Sequence, residues 1–389
     1  MTKVYIVSGC RTPIGKFQGQ FEQHSAVELG TIAVTEAINR AKLWPEDVEQ
    51  CIMGQVLTAG QGQNPARQVA LNAKMPCETS AYTINMLCGS ALKSVALGFQ
   101  GIKNGDYSII VAGGQENMTR AQHTTHLRGT KLGALDLKDS LLLDGLTDVF
   151  HNAHMGDTAE HLAKSYKVSR KDQDEYALNC QQKTAESLKN GYFEKEIVGV
   201  PHKRTKDLIV KDEFVNPKCT IEKLSKLRPV WDQTSGTVTA GNSSGINDGA
   251  AAMILASEHQ IKCKNLKPLV EIIGFAEGGL EPMSMGLGPI PAIKNLLQKI
   301  GWTKDDVDLY EINEAFAVQS MICIKELGLD SSKVNVAGGA LALGHPIGAS
   351  GSRCLVTLIY NLLRLGKSRG VVSLCIGGGM GIAMAVQTV

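Results

Sequence analysis

The sequence predicts an α/β protein made of two similar halves, each with a mixed β-sheet. Three observations predict this fold class. Strand-like and helix-like segments alternate along the 389 residues. Two pairs of segments repeat in the same order, and a polar stretch interrupts the alternation between the two halves. At about 150 residues per domain, a chain of this length is expected to form two or three domains.

The repeated segments support duplication of one unit. The stretches that begin at Gly30 and Gly288 each form an apolar-periodic helix, an acidic loop ending in Asp-Val, and a short strand. Residues 88–114 resemble residues 348–378. Both read as a glycine-containing turn, a helix of small and apolar residues, a polar turn, and a β-branched strand ending in Gly-Gly. Two matches in the same order favour duplication over coincidence.

The duplication divides the chain into three parts. The N-terminal half covers residues 1–118, with residues 246–267 returning to it, and the C-terminal half covers residues 268–389. Residues 119–245 are polar and contain a helix rich in Asp, Lys and Arg. We interpret this segment as a loop domain that covers a ligand site, rather than as an ordinary surface excursion, because long inserted loops are often functional.

Composition and charge exclude several classes of protein. The 40 basic and 38 acidic residues are mixed along the chain and leave a net charge of +2, unlike the basic face of a nucleic-acid-binding protein. No apolar stretch approaches the roughly 18 residues of a membrane span. Neither end resembles a signal peptide or a peroxisomal address. We expect a cytoplasmic protein with reduced cysteines and no membrane or nucleic-acid partner.

Cys88 is the first candidate for chemistry. The sequence "NMLCGSALKS" places it just before a helix predicted over residues 91–98. Unpaired N–H groups and the positive end of the helix dipole lower the pKa of a thiol at such a position. Gly89 allows backbone and substrate to approach closely. The pattern predicts a thiolate nucleophile, although a cysteine packed under a helix start fits it equally well.

Three further motifs each permit a functional and a structural interpretation. In "SLCIGGGMG", Cys375 precedes three glycines whose N–H groups could form an oxyanion hole, but an inert thiol beside a glycine turn is favoured on this motif alone. In "YEINEAFA", Asn313 and Glu314 follow a strand, where α/β sheets bind ligands. Asn313 could equally be a helix N-cap. Ser243 and Ser244 could bond a ligand amide or only satisfy a turn.

The stretch "GGALALGHPIGASG" surrounds one histidine, His345, with five glycines. The duplication puts this loop and the Cys88 loop at related positions, so that a pseudo-twofold axis would bring them face to face. Glycines allow the two loops and a substrate to crowd together. His345 would then accept the proton of Cys88. Packing alone would more often surround a histidine with large apolar residues.

The remaining histidines and glycines predict no cofactor. The pairs His151/His154 and His123/His126 lack the further ligands that a metal site requires. No glycine-rich loop has the pattern of a nucleoside-triphosphate or dinucleotide site. We therefore expect neither a metal nor a nucleotide cofactor.

With "NMLCGSALKSVALG", "NEAFA", "GGALALGHPIGASG" and "CIGGGMG" in this order, the chain resembles the thiolase family, over nearly its whole length. "LCGSAL" and the "HMG" at 154–156 resemble its biosynthetic short-chain type. The resemblance implies a duplicated, five-layered αβαβα thiolase fold with the inserted loop domain over a CoA site, usually in a homotetramer that is a dimer of dimers. It implies a reversible Claisen condensation of two acetyl-CoA to acetoacetyl-CoA and CoA, with acyl-CoA and CoA as the substrates.

The resemblance also implies catalytic roles. Cys88 attacks the thioester and carries the acyl group. His345 takes the thiol proton and helps to stabilise the first oxyanion, while Asn313 orients a water there. Cys375 is the acid/base that moves a proton of the acetyl methyl group. The N–H groups of Cys88 and Gly377 form the second oxyanion hole.

Substrate-binding residues follow from the same resemblance. Met155 narrows the acyl pocket, Phe316 lines it, Leu146 is a further substrate-binding residue, and Ser244 contacts the pantetheine arm. This chemistry requires no metal or redox cofactor.

The chain departs from the family in "DEFVNPKC", where Asn216 stands at the usual arginine that meets the CoA phosphates. Lys218, two residues on, is expected to substitute for it. Three rival interpretations remain. A degradative thiolase for longer 3-ketoacyl chains would use the same residues. A ketoacyl synthase relative would have Cys-His-His or Cys-His-Asn, against which Cys375 argues. A non-catalytic CoA-binding protein would not need all four catalytic motifs.

Overall fold

The computed structural model describes residues 2–129 and 132–389; residues 130 and 131 of the predicted loop domain lie outside this part. The strands, in chain order, are β1 (Val4–Arg11), β2 (Gly15–Lys16), β3 (Gln50–Gly54), β4 (Ser80–Ile84), β5 (Ile109–Asn117), β6 (His123–Thr124), β7 (Lys138–Asp139), β8 (Thr147–Asp148), β9 (Ala153–His154), β10 (Val200–Pro201), β11 (Leu208–Ile209), β12 (Asn247–Ser257), β13 (Val270–Gly279), β14 (Leu309–Ile312), β15 (Arg369–Ile376) and β16 (Met380–Thr388).

The helices, in chain order, are α1 (Ala26–Ala41), α2 (Pro65–Asn72), α3 (Ser90–Asn104), α4 (Met155–Tyr166), α5 (Arg170–Lys189), α6 (Ile221–Ser225), α7 (Glu258–Cys263), α8 (Pro289–Ile300), α9 (Ala317–Leu327), α10 (Ala340–Leu343) and α11 (Ser350–Leu365). None of the helices in residues 2–129 and 132–389 is both long and apolar enough to cross a membrane.

The principal strands form two mixed sheets that join at one edge. The first sheet has the order β1-β12-β5-β3-β4, and the second has the order β14-β15-β16-β13. Strand β3 is parallel to β4 and β5, and β14 is parallel to β15, whereas the other neighbours are antiparallel. The sheets join where β13 pairs with β1 over two residues. The predicted mixed sheets are therefore confirmed.

Helices on both faces of the two sheets produce five layers. Helices α1 and α2 cover the outer face of the first sheet, and α8 covers the outer face of the second. Helices α3 and α11 lie between the sheets and pack on each other and on both sheets. Strand β12 is buried along its whole length, because helices cover both faces of its sheet. The five-layered αβαβα arrangement agrees with the prediction.

The two halves repeat element by element, as the sequence predicts. Helix α1, a 3₁₀ turn at Pro45–Asp47 and strand β3 correspond to α8, a 3₁₀ turn at Lys304–Asp306 and β14. Helix α3 and strand β5 correspond to α11 and β15. The turn before α3 and the turn before α11 therefore lie at related positions beside the central layer.

The interrupting segment contributes α4, α5 and α6 beside the second half. A buried ion cluster attaches it to the first half: Arg11 donates to Glu196 at 2.6 Å and to Asp212 at 2.7 Å. All three side chains are buried, so removing either carboxylate would leave part of the Arg11 charge unpaired. This cluster fixes the segment next to β1.

Candidate active site

Cys88 lies in a tight turn between β4 and α3. Leu87, just before it, has a left-handed φ of 46°. The Ser90 hydroxyl accepts from the Met86 N–H at 2.8 Å and donates to the Leu87 carbonyl at 2.6 Å. A Cβ at Gly89 would clash with Ile376, so only glycine fits here. The helix begins at Ser90 and runs to Asn104, so it is longer than the predicted residues 91–98.

The predicted thiolate at Cys88 is wrong for the substrate-free protein. Burial, with a smaller contribution from the Glu116 charge, raises the pKa of Cys88 to about 11. The N–H groups of Gly377 and of Cys88 itself face the thiol and oppose this shift. The helix end that the sequence identified is present, but loss of water outweighs its positive potential. Cys88 therefore carries a neutral thiol at pH 7, with two N–H donors converging on it.

His345 is held by neighbours from both halves. We call residues 344–349 the His345 loop. The backbone N–H of His345 donates to Asn247 Oδ1 at 2.9 Å. Its Nδ1 lies 2.5 Å from Ser350 Oγ, and that hydroxyl donates to the Pro346 carbonyl at 2.8 Å. Since a hydroxyl has one hydrogen, Nδ1 is the protonated nitrogen, and Nε2 is the nitrogen that carries the lone pair.

The charge state of His345 suits a base. Burial and the neighbouring Arg353 charge lower the pKa of His345 to about 3, so the ring is neutral near pH 7. Asn313 Nδ2 lies 3.4 Å from Nε2 and is the donor of that pair. Both nitrogens of the ring are thus assigned by their partners, and Nε2 is an acceptor.

Asn313 follows β14 and is oriented by α11. Arg353 Nη2 donates to Asn313 Oδ1 at 3.3 Å, and Arg353 Nη1 donates to Glu311 Oε1 at 3.0 Å. Asn313 is not a helix N-cap: α9 starts four residues later, and its cap residue is Phe316, without a side-chain bond. The helix N-cap interpretation is therefore excluded, and the functional role of Asn313 stays a prediction.

Cys375 and Gly377 lie where β15 ends. Cys375 is fully buried, and burial together with the nearby Cys88 raises its pKa well above the ordinary value. Gly378 and Gly379 follow with φ of 82° and 83°, a region that favours glycine. This turn aims the Gly377 N–H at the Cys88 thiol. Gly377 and Gly378 line one cavity, and both thiols face a neighbouring one.

That cavity has a volume of about 570 Å³. Cys88, His345 and Cys375 line it together. Predicted substrate-binding residues that also line it are Leu146, Met155, Ser244 and Phe316. Lys218 and Asn216 are exposed and do not line the cavity. The Ser243 hydroxyl donates to the Thr239 carbonyl at 2.7 Å and satisfies a turn.

The glycines in and next to the His345 loop are required because the loop packs closely against the other half of the molecule. Gly344 has φ 107°. A Cβ at Gly348 would lie 2.5 Å from Glu116 Oε2, and a Cβ at Gly351 would clash with the backbone of Leu92. The loop is thus pressed against β5 and α3 of the other half, and any side chain would push it out.

Sequence reasoning missed several residues around the cavity. Trp231 lines it and stacks on His154, with ring centroids 5.1 Å apart. A Cβ at Gly156 would clash with the indole, so this glycine admits the tryptophan. Asn247 and Glu116 are buried and contact the His345 loop. The available signal was the polar ending "GGQEN" of an apolar strand, similar to "NEAF".

The histidine pairs serve as local contacts. His154 caps α4 by accepting from the Gly156 N–H at 3.0 Å. His151 Nδ1 lies 2.8 Å from Asp148 Oδ2. Within the described ranges, no group of three or more His, Cys, Asp or Glu side chains could hold a metal ion.

Comparison with known proteins identifies the family. Residues 4–259 match the thiolase N-terminal domain, and residues 266–388 match the thiolase C-terminal domain. The chain belongs to the thiolase family. It is 51% identical to a cytosolic acetyl-CoA acetyltransferase of Mus musculus, covering 99% of this chain and 98% of the relative. It is 49% identical to an acetyl-CoA acetyltransferase of Cupriavidus necator, with full coverage of both.

Solved thiolase structures show the same fold. The acetyl-CoA acetyltransferase of Bacillus anthracis superposes with a TM-score of 0.97 at 39% identity, covering 100% of this chain and 99% of that one. Human mitochondrial 3-ketoacyl-CoA thiolase in complex with CoA superposes with a TM-score of 0.96 at 43% identity, covering 100% and 98%. These similarities confirm the predicted thiolase fold.

Proposed function

We propose that this protein is an acetyl-CoA C-acetyltransferase, which condenses two acetyl-CoA to acetoacetyl-CoA and CoA in a reversible reaction. The observation that carries the proposal is one cavity lined by two thiols and a neutral imidazole, with the N–H groups of Cys88 and Gly377 converging on the first thiol. The names of the mouse and Cupriavidus necator relatives support the same activity.

In the first half-reaction, Cys88 Sγ attacks the carbonyl carbon of acetyl-CoA. The thiol proton passes to Nε2 of His345, which is the unprotonated nitrogen. The tetrahedral oxyanion develops opposite the N–H groups that face Cys88. Collapse breaks the carbonyl carbon–sulfur bond, and the CoA sulfur leaves with the proton from His345. The products are CoA and an acetylated Cys88.

In the second half-reaction, Cys375 first gives its thiol proton to Nε2 of His345, which is neutral again once CoA has left. The Cys375 thiolate then removes a proton from the methyl group of a second acetyl-CoA. The enolate oxygen is stabilised on the side of His345 and Asn313, where Asn313 orients a water. The enolate carbon attacks the acetyl carbonyl on Cys88, the bond to Cys88 Sγ breaks, and acetoacetyl-CoA forms. The Cys88 thiolate takes the proton from His345, which restores both thiols and the neutral imidazole. Because the methyl group is a weak acid, a thiol with a raised pKa gives a suitably strong base.

The walls of the cavity favour a short acyl group with a pantetheine arm. Met155, Phe316 and Leu146 supply apolar surface near the thiols, and the Ser244 side chain lies along the wall as a contact for the pantetheine arm. Lys218 would meet the CoA phosphates from outside the cavity. The reaction uses no metal or redox cofactor, since CoA is itself a substrate.

A degradative 3-ketoacyl-CoA thiolase of broader chain length is the second candidate. The human mitochondrial enzyme has nearly the same fold, so the fold alone does not favour either. Met155 favours the short-chain activity because it lies beside Gly377: a Cβ on that glycine would lie 3.6 Å from Met155 Sδ. A non-catalytic CoA-binding protein would leave this arrangement of thiols without a purpose.

We propose a homotetramer, a dimer of dimers, in the cytoplasm. Several large apolar side chains of residues 121–150 are exposed in the isolated chain, among them Leu127, Leu137 and Phe150. A second copy would bury such a patch. The cytosolic location of the mouse relative supports the compartment. Sedimentation equilibrium would test the oligomeric state.

The deciding experiment follows the CoA-dependent loss of acetoacetyl-CoA in the intact protein and in Cys88→Ser. We expect rapid turnover that the substitution abolishes. Cys263→Ser is a matched control, since Cys263 is exposed and remote from the cavity. Turnover of longer 3-ketoacyl-CoA without turnover of acetoacetyl-CoA would favour the degradative enzyme. Absence of turnover with both would favour the CoA-binding protein.

A further inference from the structure

Glu116 is a fully buried acid at the end of β5 that the mechanism above does not use. Its carboxylate accepts three backbone N–H bonds from two separate segments. Oε2 accepts from Val56 at 2.9 Å and from Gly348 at 3.0 Å, and Oε1 accepts from Leu57 at 3.2 Å. One side chain thus joins the segment after β3 to the His345 loop.

The His345 loop forms a wall of the active site, and the segment after β3 packs against that loop. Ile347, in the His345 loop, lines the cavity, and it packs in one apolar cluster with Val56 and Leu57, against which Cys88 also lies. The fit is close, since the Cβ of an alanine at position 348 would stand 2.5 Å from Glu116 Oε2. A change at the Glu116 carboxylate is therefore transmitted to the loop that carries His345.

We infer that Glu116 is a positioning residue for the reaction proposed above: its carboxylate holds the His345 loop against the segment after β3 and so fixes His345 in the cavity. The partners explain why a carboxylate is required. All three are N–H donors, and an ionised carboxylate only accepts. A protonated acid, or a glutamine, brings hydrogens of its own toward these donors and leaves at least one N–H without its partner.

The charge of Glu116 changes near neutral pH. Burial, with a smaller contribution from Asp248 on β12, raises the pKa of Glu116 to about 7 against the effect of its three N–H partners. Asp248 is itself buried, with its pKa raised to about 6. The Cys88 thiol, at the start of α3, is the other titratable group that interacts with Glu116.

Stability and positioning respond to this ionisation in opposite directions. The folded-state pKa of Glu116 lies above its ordinary value, so its contribution to folding stability is complete below about pH 4.5 and is lost as the pH rises through about 7. The three-donor contact requires the ionised form, which predominates above pH 7. The ionised carboxylate therefore favours the loop geometry, whereas the protonated acid favours folding stability.

The test measures kcat/KM for acetoacetyl-CoA from about pH 5.5 to 9, because this ratio reports groups of the free enzyme. The proteins are the intact enzyme, Glu116→Gln and the matched control Asp248→Asn, which removes the neighbouring buried acid that bonds Thr119 instead of the loop. We expect an acid limb near pH 7 in the intact enzyme and its loss in Glu116→Gln. In Asp248→Asn the limb should persist but lie at a somewhat lower pH, because the charge of Asp248 that raises the pKa of Glu116 is removed. At pH 8, kcat of Glu116→Gln should fall about 10-fold with KM changed less than about 3-fold.

A second measurement does not depend on activity. Amide hydrogen exchange of Val56 and Gly348, corrected for intrinsic rates, should accelerate about 10-fold in Glu116→Gln at pH 8 and in the intact enzyme below pH 7. If Glu116→Gln does not fold, the pH series of the intact enzyme still decides. Unchanged exchange, or an acid limb that disappears in Asp248→Asn and persists in Glu116→Gln, would overturn the inference. An intact enzyme without thiolase activity but with the expected exchange would refute the proposed function alone.

Discussion

Cys88 and Cys375 face one cavity from the two halves of the molecule, yet their surroundings differ. Cys88 lies in a turn before a helix, is partly exposed, and has two N–H groups directed at its thiol. Cys375 lies in strand β15 and is fully buried. The nearby thiols of Cys88, Cys323 and Cys354 help to raise its pKa. The same side chain thus occupies a partly exposed position with two N–H donors and a fully buried position where its own N–H is the donor.

This difference teaches how one residue type can take two tasks. A nucleophile that carries an acyl group needs space for the tetrahedral carbon and donors for its oxygen, and the Cys88 turn supplies both. A base for a carbon acid needs a high pKa and exclusion of water, and burial in β15 supplies both. In the proposed reaction His345 serves both tasks: its unprotonated Nε2 takes the Cys88 proton, and the ring lies with Asn313 on the side where the enolate oxygen develops.

The largest effect that tests this division is Cys375→Ser. We expect turnover of acetoacetyl-CoA to fall by about 10³-fold, within the range for loss of a general base. Acetylation of Cys88 by acetyl-CoA should persist, as measured by mass spectrometry of the quenched protein. Cys323→Ser is the matched control, because Cys323 is buried nearby but does not line the cavity. Loss of Cys88 acetylation in Cys375→Ser would contradict separate tasks.

The same comparison indicates what the sequence could predict. The motifs that contain both thiols, Asn313 and His345 could be recognised in the sequence. A strand end or a helix start depends mainly on residues that are close together along the chain. The pKa of Cys88 was predicted in the wrong direction, since the helix start is visible in the sequence but the burial that outweighs it comes from packing between the halves.

Residues that act across the duplication were also missed. Glu116 and Asn247 belong to the first sheet, yet they hold a loop about 100 or more residues away along the chain, and no local spacing records such a contact. Trp231 was missed for a similar reason. Its indole packs against Gly156 of α4, which lies far away along the chain, so no local pattern indicates the contact. The roles of the site residues remain predictions until the variants are measured.

An intermediate effect is expected at Met155, which lies beside Gly377 and lines the same cavity as the two thiols. Met155→Ala enlarges the acyl space, so the preference for 3-ketohexanoyl-CoA over acetoacetyl-CoA, measured as a ratio of kcat/KM values, should rise about 10-fold. Met155→Leu keeps the volume and should leave the ratio nearly unchanged. A ratio that stays constant in Met155→Ala would favour the degradative enzyme and would remove Met155 from the short-chain argument.

The smallest effect is expected farthest from the two thiols. Lys218 is exposed and outside the cavity, so its attraction for a CoA phosphate is screened by water and salt. Lys218→Ala should weaken binding of CoA by about 3-fold and of dephospho-CoA less, as measured by calorimetry at low ionic strength. Lys211→Ala, an exposed lysine of the same segment, is the matched control. Equal weakening for both ligands would show that Lys218 does not replace the basic residue that Asn216 displaces, and the phosphates would then be held by another part of the chain.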